Sequence, residues 1–295
     1  MKKIISLILV CMLTAGMFLL TSCGKNENVV EDQNDGDTII VNTNAFFAPF
    51  EYYDGTEIVG VDVEIMNKVG EKLGKTIRFD NTEFSAIIDN VAKGEVCDCG
   101  AAGITITEAR AEKVDFSTPY YTSVQYVIFA KDNDAFNKKE DHILWNDLAG
   151  LKVGVQTDTT GMIFADGEIN AQESDPDYGY DGVLYGTDTE LVNFDNAQLA
   201  ADGIGANQVD VVIIDELPAQ YIVDKNQSLE CLPLYYAGAD GEEDFPTEEQ
   251  YAICVTKGNT ELLDAINSVL AEMLVDDGNG SNQVLDLVMK HMGLN

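Results

Sequence analysis

Short apolar runs alternate with segments of helical periodicity from Asp37 to the end of the chain, and this alternation limits the folds that the chain can adopt. An apolar run of roughly four to eight residues predicts a buried strand, whereas apolar residues about three or four positions apart predict an amphipathic helix. Strands that alternate with helices indicate an α/β fold, in which crossover helices join parallel strands. The predicted strands are Thr38–Asn42, Thr76–Phe79, Val96–Ala101, Val124–Lys131, Leu151–Val155, Val209–Ile214 and Tyr251–Lys257, and the predicted helices are Val61–Leu73, Ser85–Ala92, Thr107–Lys113, Asn196–Gly203 and Glu261–Leu274.

Two of the strand-like runs, Val124–Lys131 and Tyr251–Lys257, bracket the middle of the chain, and helical periodicity returns after the second. This order favours a lobe that is inserted into another lobe, so that the chain crosses between them twice and the two runs are hinge candidates. The sequence therefore predicts a first lobe from residues 38–126 plus 254–295 and a second lobe from residues 127–253.

The N-terminus has the features of an export signal. Lys2 and Lys3 precede an apolar run from Ile4 to Leu20, which is typical of a signal peptide over residues 1–22. The stretch Leu20-Thr-Ser-Cys23 resembles a bacterial lipobox, so we expect Cys23 to carry a lipid anchor outside the cytoplasm. Residues 23–37 are too polar to pack and predict a flexible tether. The alternative is an uncleaved membrane-spanning anchor, because the apolar run is just long enough to cross a bilayer.

Charge and metal-ligand content exclude several functions. The chain carries 52 acidic and 17 basic residues, for a net charge of −35, which makes nucleic acids and anionic lipid poor partners. The only histidines, His142 and His291, have no ligand-like neighbours, so we expect neither a metal nor another cofactor. A disulfide between Cys231 and Cys254 stays open at this stage.

Polar residues follow the carboxyl ends of four predicted parallel strands. They are Asn44–Phe50, Gly103–Arg110, Thr157–Gly161 and Asp215. Open α/β sheets bind ligands at that edge, so the order of these clusters predicts one shared ligand site.

The chemistry of these clusters suits an α-amino acid. Arg110 offers a planar guanidinium that matches a carboxylate, while Thr105 and Thr160 offer hydroxyl and N–H groups at helix starts, where anions bind well. Asp215 supplies the opposite charge, which suits an ammonium group. One subsite for an anion and one for a cation together predict a free amino acid as the ligand.

Each of these residues also has an ordinary structural interpretation. Arg110 could pair with Glu108 or Glu112 on a helix surface, and Asp215 could cap the helix that follows it. Phe47 and Phe84 could be core residues. The segment 166–189 is interpreted as a surface insertion without an assigned function.

Taken together, the motifs resemble family 3 extracellular solute-binding proteins, the polar amino-acid receptors of ABC importers. The resemblance covers Asp37 to Gly293. The motifs that carry it are Phe47-Ala-Pro-Phe-Glu-Tyr52, Gly60-Val-Asp-Val-Glu-Ile65, Gly103-Ile-Thr-Ile-Thr-Glu-Ala-Arg110, Asp115-Phe-Ser-Thr-Pro-Tyr120, Gly154-Val-Gln-Thr-Asp-Thr-Thr-Gly161, Val209-Asp-Val-Val-Ile-Ile-Asp215 and Tyr251-Ala-Ile-Cys-Val-Thr-Lys257.

The resemblance implies a two-lobed clamp of the type II periplasmic-binding-protein fold, in which each lobe is a mixed, mainly parallel sheet flanked by helices. It also implies roles for eight residues: Arg110, Thr105 and Thr160 on the ligand carboxylate, Gly103 and Asp215 on its ammonium group, Phe47 and Phe84 on either side of its side chain, and Asn44 near the side-chain tip. The implied partners are an amino acid and a membrane permease, and we expect a monomer.

One departure from the family pattern concerns backbone geometry. Asp158 stands where the family usually has glycine, so we expect strain if that turn requires a left-handed backbone.

The side chain of the ligand is inferred from the charges near Asn44. We find neither a carboxylate near Asn44 for a basic side chain nor a second cation for an acidic one, so a neutral polar side chain is favoured. The alternatives to a transport receptor are an enzyme of the same fold, such as a cyclohexadienyl dehydratase, and a ligand-sensing subunit. No matched acid–base pair is apparent, so we do not expect an enzyme.

Overall fold

The computed structural model of the chain describes residues 36–133, 141–174, 176, 179–239 and 242–294. The strands are β1 (Thr38–Thr43), β2 (Phe46–Phe47), β3 (Glu51–Asp54), β4 (Glu57–Val59), β5 (Thr76–Asn81), β6 (Cys99–Gly100), β7 (Val114–Phe116), β8 (Tyr121–Ala130), β9 (Ile143–Leu144), β10 (Lys152–Gln156), β11 (Glu190–Phe194), β12 (Val211–Asp215), β13 (Leu229–Tyr236), β14 (Phe245–Pro246), β15 (Glu248–Tyr251) and β16 (Cys254–Thr256). The helices are α1 (Val61–Leu73), α2 (Phe84–Lys93), α3 (Glu108–Ala111), α4 (Thr160–Asn170), α5 (Ala197–Gly205), α6 (Glu216–Lys225), α7 (Thr260–Met273) and α8 (Gln283–His291), with a 3-10 turn at Trp145–Leu148.

Five strands form the smaller of the two main sheets, in the order β5-β1-β6-β16-β7. Strands β5, β1 and β6 are parallel, as predicted, whereas β16 runs antiparallel to both of its neighbours. Helix α1 packs on this sheet because Val61, Ile65 and Val69 recur every fourth residue and are all fully buried. Gly74 ends the helix in a left-handed conformation, with φ of 66°.

The larger sheet has the order β11-β10-β12-β8-β13-β14, with β15 paired to β8 and β9 paired to β13. Strands β11, β10 and β12 are parallel, and β8 runs antiparallel to both β12 and β13. Val153 and Val211 of the parallel strands pack in one core cluster with Trp145 and Leu148 of the 3-10 turn. Both sheets are thus mixed, with a parallel part that carries the crossover helices.

The chain passes between the two sheets at two adjacent places. The strands of the larger sheet all lie between Tyr121 and Tyr251, so the crossings fall at residues 117–120 and 252–253. The two crossings are hydrogen-bonded to each other, because Tyr120 N donates to Tyr251 O at 2.9 Å and Ser117 N donates to Ile253 O at 2.9 Å. The lobe limits at 126/127 and 253/254 stay a prediction.

Three predicted elements are shorter than expected. The run Val96–Ala101 contributes only two strand residues, because the Asp98 carboxylate accepts a hydrogen bond from Ile40 N at 2.8 Å in place of a backbone partner. The predicted strand Tyr251–Lys257 is two strands interrupted at the second crossing. The helix predicted over Thr107–Lys113 is only the four residues of α3.

The predicted signal peptide and Cys23 lie outside the described residues, as does the tether apart from its last two positions. Within the described ranges, no helix is long and apolar enough to cross a membrane. Cys231 and Cys254 are both free thiols, so the disulfide left open by the sequence is not formed.

The residue that precedes α1 provides a test of the fold. Gly60 has φ of 137°, and a Cβ atom at this position would overlap the backbone carbonyl of Phe50. We expect Gly60→Ala to lower the free energy of unfolding by about 3 kcal/mol, because a clash against backbone adds to backbone strain. Urea denaturation measures the change.

Gly205→Ala is the matched control, since a Cβ atom at the end of α5 meets nothing within 4 Å. This variant should be neutral or slightly more stable, because alanine favours helix over glycine. Equal effects of the two substitutions would contradict the assigned geometry.

Candidate functional site

A small cavity of about 10 Å³ lies where strands of both sheets end, at the carboxyl ends of β1 and β6 in the smaller sheet and of β10 and β12 in the larger. Seven of the eight predicted ligand contacts line it: Asn44, Phe47, Phe84, Gly103, Thr105, Thr160 and Asp215. Glu51, Ala102, Gln156 and Thr159 complete the lining. The structure therefore brings the four polar clusters of the sequence to one place.

Two threonine hydroxyls meet across the cavity wall. Thr105 follows β6 of the smaller sheet, Thr160 is the first residue of α4, and their Oγ1 atoms are 3.0 Å apart. Both hydroxyls donate to Oε2 of Glu249, Thr105 at 2.5 Å and Thr160 at 2.6 Å. Glu249 is thus the residue that orients the two hydroxyls, and the N–H groups of the first turn of α4 lie beside them without acceptors inside the helix.

Arg110 is the one predicted contact that does not line the cavity. Its guanidinium is buried and donates to Thr105 O at 2.9 Å and to Asp158 O at 2.7 Å. It also lies 5.3 Å from the centroid of the Phe84 ring, a cation–π distance. The interpretation of Arg110 as a surface partner of Glu108 or Glu112 is wrong, because its donors go to carbonyls that flank the cavity.

The strain expected at Asp158 is present. This residue has φ of 62°, in the left-handed region where most side chains are disfavoured. In this turn the carbonyl of Asp158 accepts a hydrogen bond from Arg110. This hydrogen bond joins the loop after β10 to the helix after β6. A costly backbone conformation thus supports a contact between the parts of the chain that carry the two sheets.

Asp215 is the last residue of β12 and is fully enclosed. Its Oδ1 accepts a hydrogen bond from the Tyr251 hydroxyl at 2.6 Å and from Gln125 Nε2 at 3.2 Å. Its side chain makes no capping hydrogen bond to α6, which excludes the interpretation as a simple helix cap. Burial raises the pKa of Asp215 well above its usual range, and the neighbouring Glu249 raises it further.

Gly103 is required for both its conformation and its small size. Its φ is 54°, and a Cβ atom here would approach Cε1 of Phe47 to 2.7 Å. Its N–H donates to Asp62 Oδ2 at 3.0 Å, and the Tyr120 hydroxyl donates to the other oxygen of Asp62 at 2.6 Å. Burial raises the pKa of Asp62 to about 6, while these hydrogen bonds oppose the rise.

Two amides meet across another part of the cavity. Asn44 donates through Nδ2 to Thr82 O at 2.8 Å, and its Oδ1 accepts from Gln156 Nε2 at 3.0 Å. Both side chains are buried and uncharged. They leave a polar wall that can accept and donate hydrogen bonds without adding charge.

A carboxyl group that the sequence did not predict as part of the site lines the cavity together with Asn44. Glu51 lines the same cavity and is completely buried. Burial raises the pKa of Glu51 well above its usual range, and the nearby carboxyl groups of Asp62 and Asp215 raise it further. With Glu249, four buried carboxyl groups surround the cavity, whereas Arg110 is the one fully buried cation among the described residues.

Sequence reasoning missed Glu51, Gln156 and Glu249 as parts of the site. Glu51 lies inside the motif Phe47–Tyr52, and Gln156 lies inside the motif Gly154–Gly161. Their positions in these motifs could have identified both residues as parts of the site. No sequence feature identified Glu249 as part of the site, because the stretch Thr247-Glu-Glu-Gln250 has the composition of an exposed loop. Only the pairing of β15 with β8 turns its side chain inward.

These features define a two-lobed α/β solute-binding protein whose ligand cavity is lined from both sheets. Residues 39–279 match the family model described as bacterial extracellular solute-binding proteins, family 3. The chain belongs to this family.

The relatives carry the names of amino-acid-binding proteins. The chain is 29% identical to the arginine-binding extracellular protein ArtP of Bacillus subtilis, over 92% of this chain and 93% of that protein. It is 27% identical to a probable histidine-binding protein of Campylobacter jejuni, over 83% of this chain and 85% of that protein. A solved structure of an ancestral arginine-binding protein bound to glutamine matches with a TM-score of 0.68 at 30% identity, over 87% of this chain and 98% of that chain.

The role of Glu249 generates a second test. Glu249→Ala removes the acceptor of Thr105, Thr160 and a Gln125 amide N–H, all of them buried. We expect the free energy of unfolding to fall by about 2–4 kcal/mol, because these donors lose their partner without access to water. Urea denaturation measures this change in the free energy of unfolding.

Glu248→Ala is the control, since Glu248 is the exposed neighbour on the same strand. It should change stability by less than about 0.5 kcal/mol, as is usual for exposed positions. A Glu249→Ala variant as stable as this control would rule out the orienting role.

Proposed function

We propose that the chain is the substrate-binding subunit of an ABC importer and that it captures a free L-amino acid with a cationic side chain. The observation that carries this proposal is the convergence of separate strand ends on one buried cavity, which Glu51 and Asp215 line and behind which the Arg110 guanidinium donates to Thr105 O. Family membership supports a binding role over the enzyme alternative.

The α-carboxylate is assigned to the corner where Thr105, Thr160 and the N-terminus of α4 converge. A helix N-terminus favours an anion, because its first N–H groups have no acceptor inside the helix. Arg110 lies behind this corner, and the carbonyls of Thr105 and Asp158 use two of its five N–H donors. We propose that the remaining donors bind the ligand carboxylate.

The α-ammonium is assigned to Asp215, which is buried at the end of β12. A cation beside this carboxyl group would relieve the repulsion from Glu249 and favour the ionised form. The backbone carbonyl of Gly103 borders the same cavity and offers a second acceptor.

The side-chain class follows from the balance of charge. Arg110 and Asp215 offset the two charges of the amino-acid backbone. Asp62 and Glu249 are held by hydrogen-bond donors, which leaves Glu51 without a partner among the described residues. Burying carboxylates without partners is costly, so a ligand with a third, positive group is favoured over a neutral one. The names of two relatives, an arginine-binding protein and a probable histidine-binding protein, agree with this choice.

Binding is proposed to stabilise the closed arrangement of the lobes. Three direct contacts join the polar clusters of the two sheets: Arg110 with Asp158, Asn44 with Gln156 and Thr105 with Thr160. A ligand that also contacts Arg110 and Asp215 would add interactions that exist only when both sheets approach each other. The equilibrium shifts toward closure by that difference in affinity, and we propose that a membrane permease recognises the closed form.

The location is proposed from the N-terminal sequence. The signal peptide ending at Leu20-Thr-Ser-Cys23 supports export and lipid attachment at Cys23, so that the tether holds a monomeric receptor at the outer face of the cell membrane.

A thermal-shift screen of the twenty amino acids plus ornithine and cystine tests the proposed function. A ligand that binds only the native state raises the Tm, so arginine, lysine, ornithine or histidine should give the largest increase. Unchanged Tm with every compound would refute the proposal.

Arg110 is the residue on which the carboxylate assignment depends. We expect Arg110→Ala to weaken amino-acid binding by about 3–5 kcal/mol in titration calorimetry, because a buried carboxylate would lose its cationic partner. Lys113→Ala removes a cation from the exposed surface, where Lys113 pairs with Asp89, and should bind like wild type. Near-wild-type affinity in Arg110→Ala would reject the assignment.

A further inference from the structure

Tyr52 and Tyr221 form a contact between the parts of the chain that carry the two main sheets. Tyr52 lies in β3, which is joined to α1 by the hydrogen bond from Asp62 N to Phe50 O at 3.0 Å. Tyr221 lies in α6, which follows β12 of the larger sheet. The two ring centroids are 5.7 Å apart with the planes inclined at 45°, and neither residue is among those that line the cavity. The ring pair is thus separate from the ligand site.

His291 fixes the orientation of Tyr52. It is the last residue of α8, and its side chain is only 8% exposed. Its Nδ1 atom lies 3.1 Å from the Tyr52 hydroxyl, and the two rings meet edge to face with centroids 5.8 Å apart. Its Nε2 atom lies 2.7 Å from Oε1 of Glu64 in α1. Because the Glu64 carboxylate can only accept, Nε2 carries a proton, and Nδ1 of the neutral imidazole accepts a hydrogen bond from the Tyr52 hydroxyl.

The two rings are attached to different sheets. Helix α8 packs on α1 through its buried residues Val284 and Val288, and α1 packs on the smaller sheet. Helix α6 packs instead on β8, β12 and β13 of the larger sheet. Rotation of one sheet relative to the other about the crossings at 117–120 and 252–253 would therefore change the distance between the two rings.

We propose that Tyr52 and Tyr221 form a latch that stabilises the closed arrangement of the lobes, and that His291 positions Tyr52 for this contact. The latch rests on the proposed function, because closure on an amino acid is what it stabilises. Since the two rings lie outside the cavity lining, they do not contact the ligand. The cavity residues discriminate between amino acids, whereas the latch adds the same contribution to the binding of each.

The ring contact contributes to the equilibrium between the open and closed arrangements. An aromatic pair adds a factor of about two to ten to an equilibrium constant, beyond the effect of the buried area. Because the ligand is held by the closed arrangement, this factor enters the measured affinity for every ligand. A contact that forms after the ligand has entered acts mainly on release, so its loss should increase the dissociation rate.

Titration calorimetry with the two amino acids that raise the Tm most in the thermal-shift screen provides the first test. Tyr221→Ala and Tyr52→Ala should each weaken the binding of both amino acids by the same factor, about three- to tenfold, and stopped-flow kinetics should show faster dissociation. Tyr53→Ala is the matched control, because the exposed Tyr53 ring contacts Phe46 within the same small sheet, and this contact does not cross between the lobes. The control should bind like wild type.

A double-mutant cycle provides the second test, which separates positioning from a general effect on stability. His291→Ala should weaken binding by about two- to threefold, because Tyr52 loses the hydrogen bond that orients its ring. In the Tyr221→Ala background, His291→Ala should not weaken binding further, since the contact that it positions is already absent. Equal effects of His291→Ala in both backgrounds would overturn its positioning role.

The outcomes separate the latch from the function on which it rests. Wild-type affinity in both tyrosine variants, or a change in the relative affinities for the two amino acids, would overturn the latch. If one tyrosine variant does not fold, the other decides, since removal of either ring abolishes the contact. Failure of wild type to bind any amino acid would contradict the proposed function, whereas binding that is insensitive to both substitutions would contradict the latch alone.

Discussion

The burial of several carboxyl groups around one cavity is the constraint on which the rest of the site depends. Glu51, Asp62, Asp215 and Glu249 come from four different strands or helices and share one buried cation, Arg110. Like charges at low dielectric are tolerated only with protons, donors or counter-ions. Hydroxyls and amides at the crossings and strand ends supply the donors, and the proposed preference for a cation rests on the remaining deficit of positive charge.

The same donors join the ligand site to the connection between the lobes. Tyr120 and Tyr251 lie at the ends of the two crossings, and each directs its hydroxyl to a buried acid, Asp62 or Asp215. Movement of the crossings would therefore alter the hydrogen bonds of the acids, and a cation bound to those acids would in turn favour one arrangement of the crossings. This is a direct physical route by which occupancy of the cavity and closure can be coupled.

Much of the fold and of the candidate site could be predicted from the sequence, and the physical reasons also explain which predictions failed. The residues after parallel strands were found because strand ends share an edge of a sheet, which brought Asn44, Thr105 and Asp215 together. Glu249 could not be found, because local composition does not reveal that β15 pairs with β8. The predicted length of strand β6 was too great, because the side chain of Asp98 replaces a backbone partner of Ile40. Hydrophobic periodicity does not reveal such a side-chain hydrogen bond.

A crystal structure of the protein with bound L-arginine tests the central claim most directly. We expect the α-carboxylate within hydrogen-bond distance of Arg110 and the first turn of α4, the α-ammonium on Asp215, and both sheets in contact with the ligand. Arginine bound in the reverse orientation, or outside the cavity between the strand ends, would contradict the account.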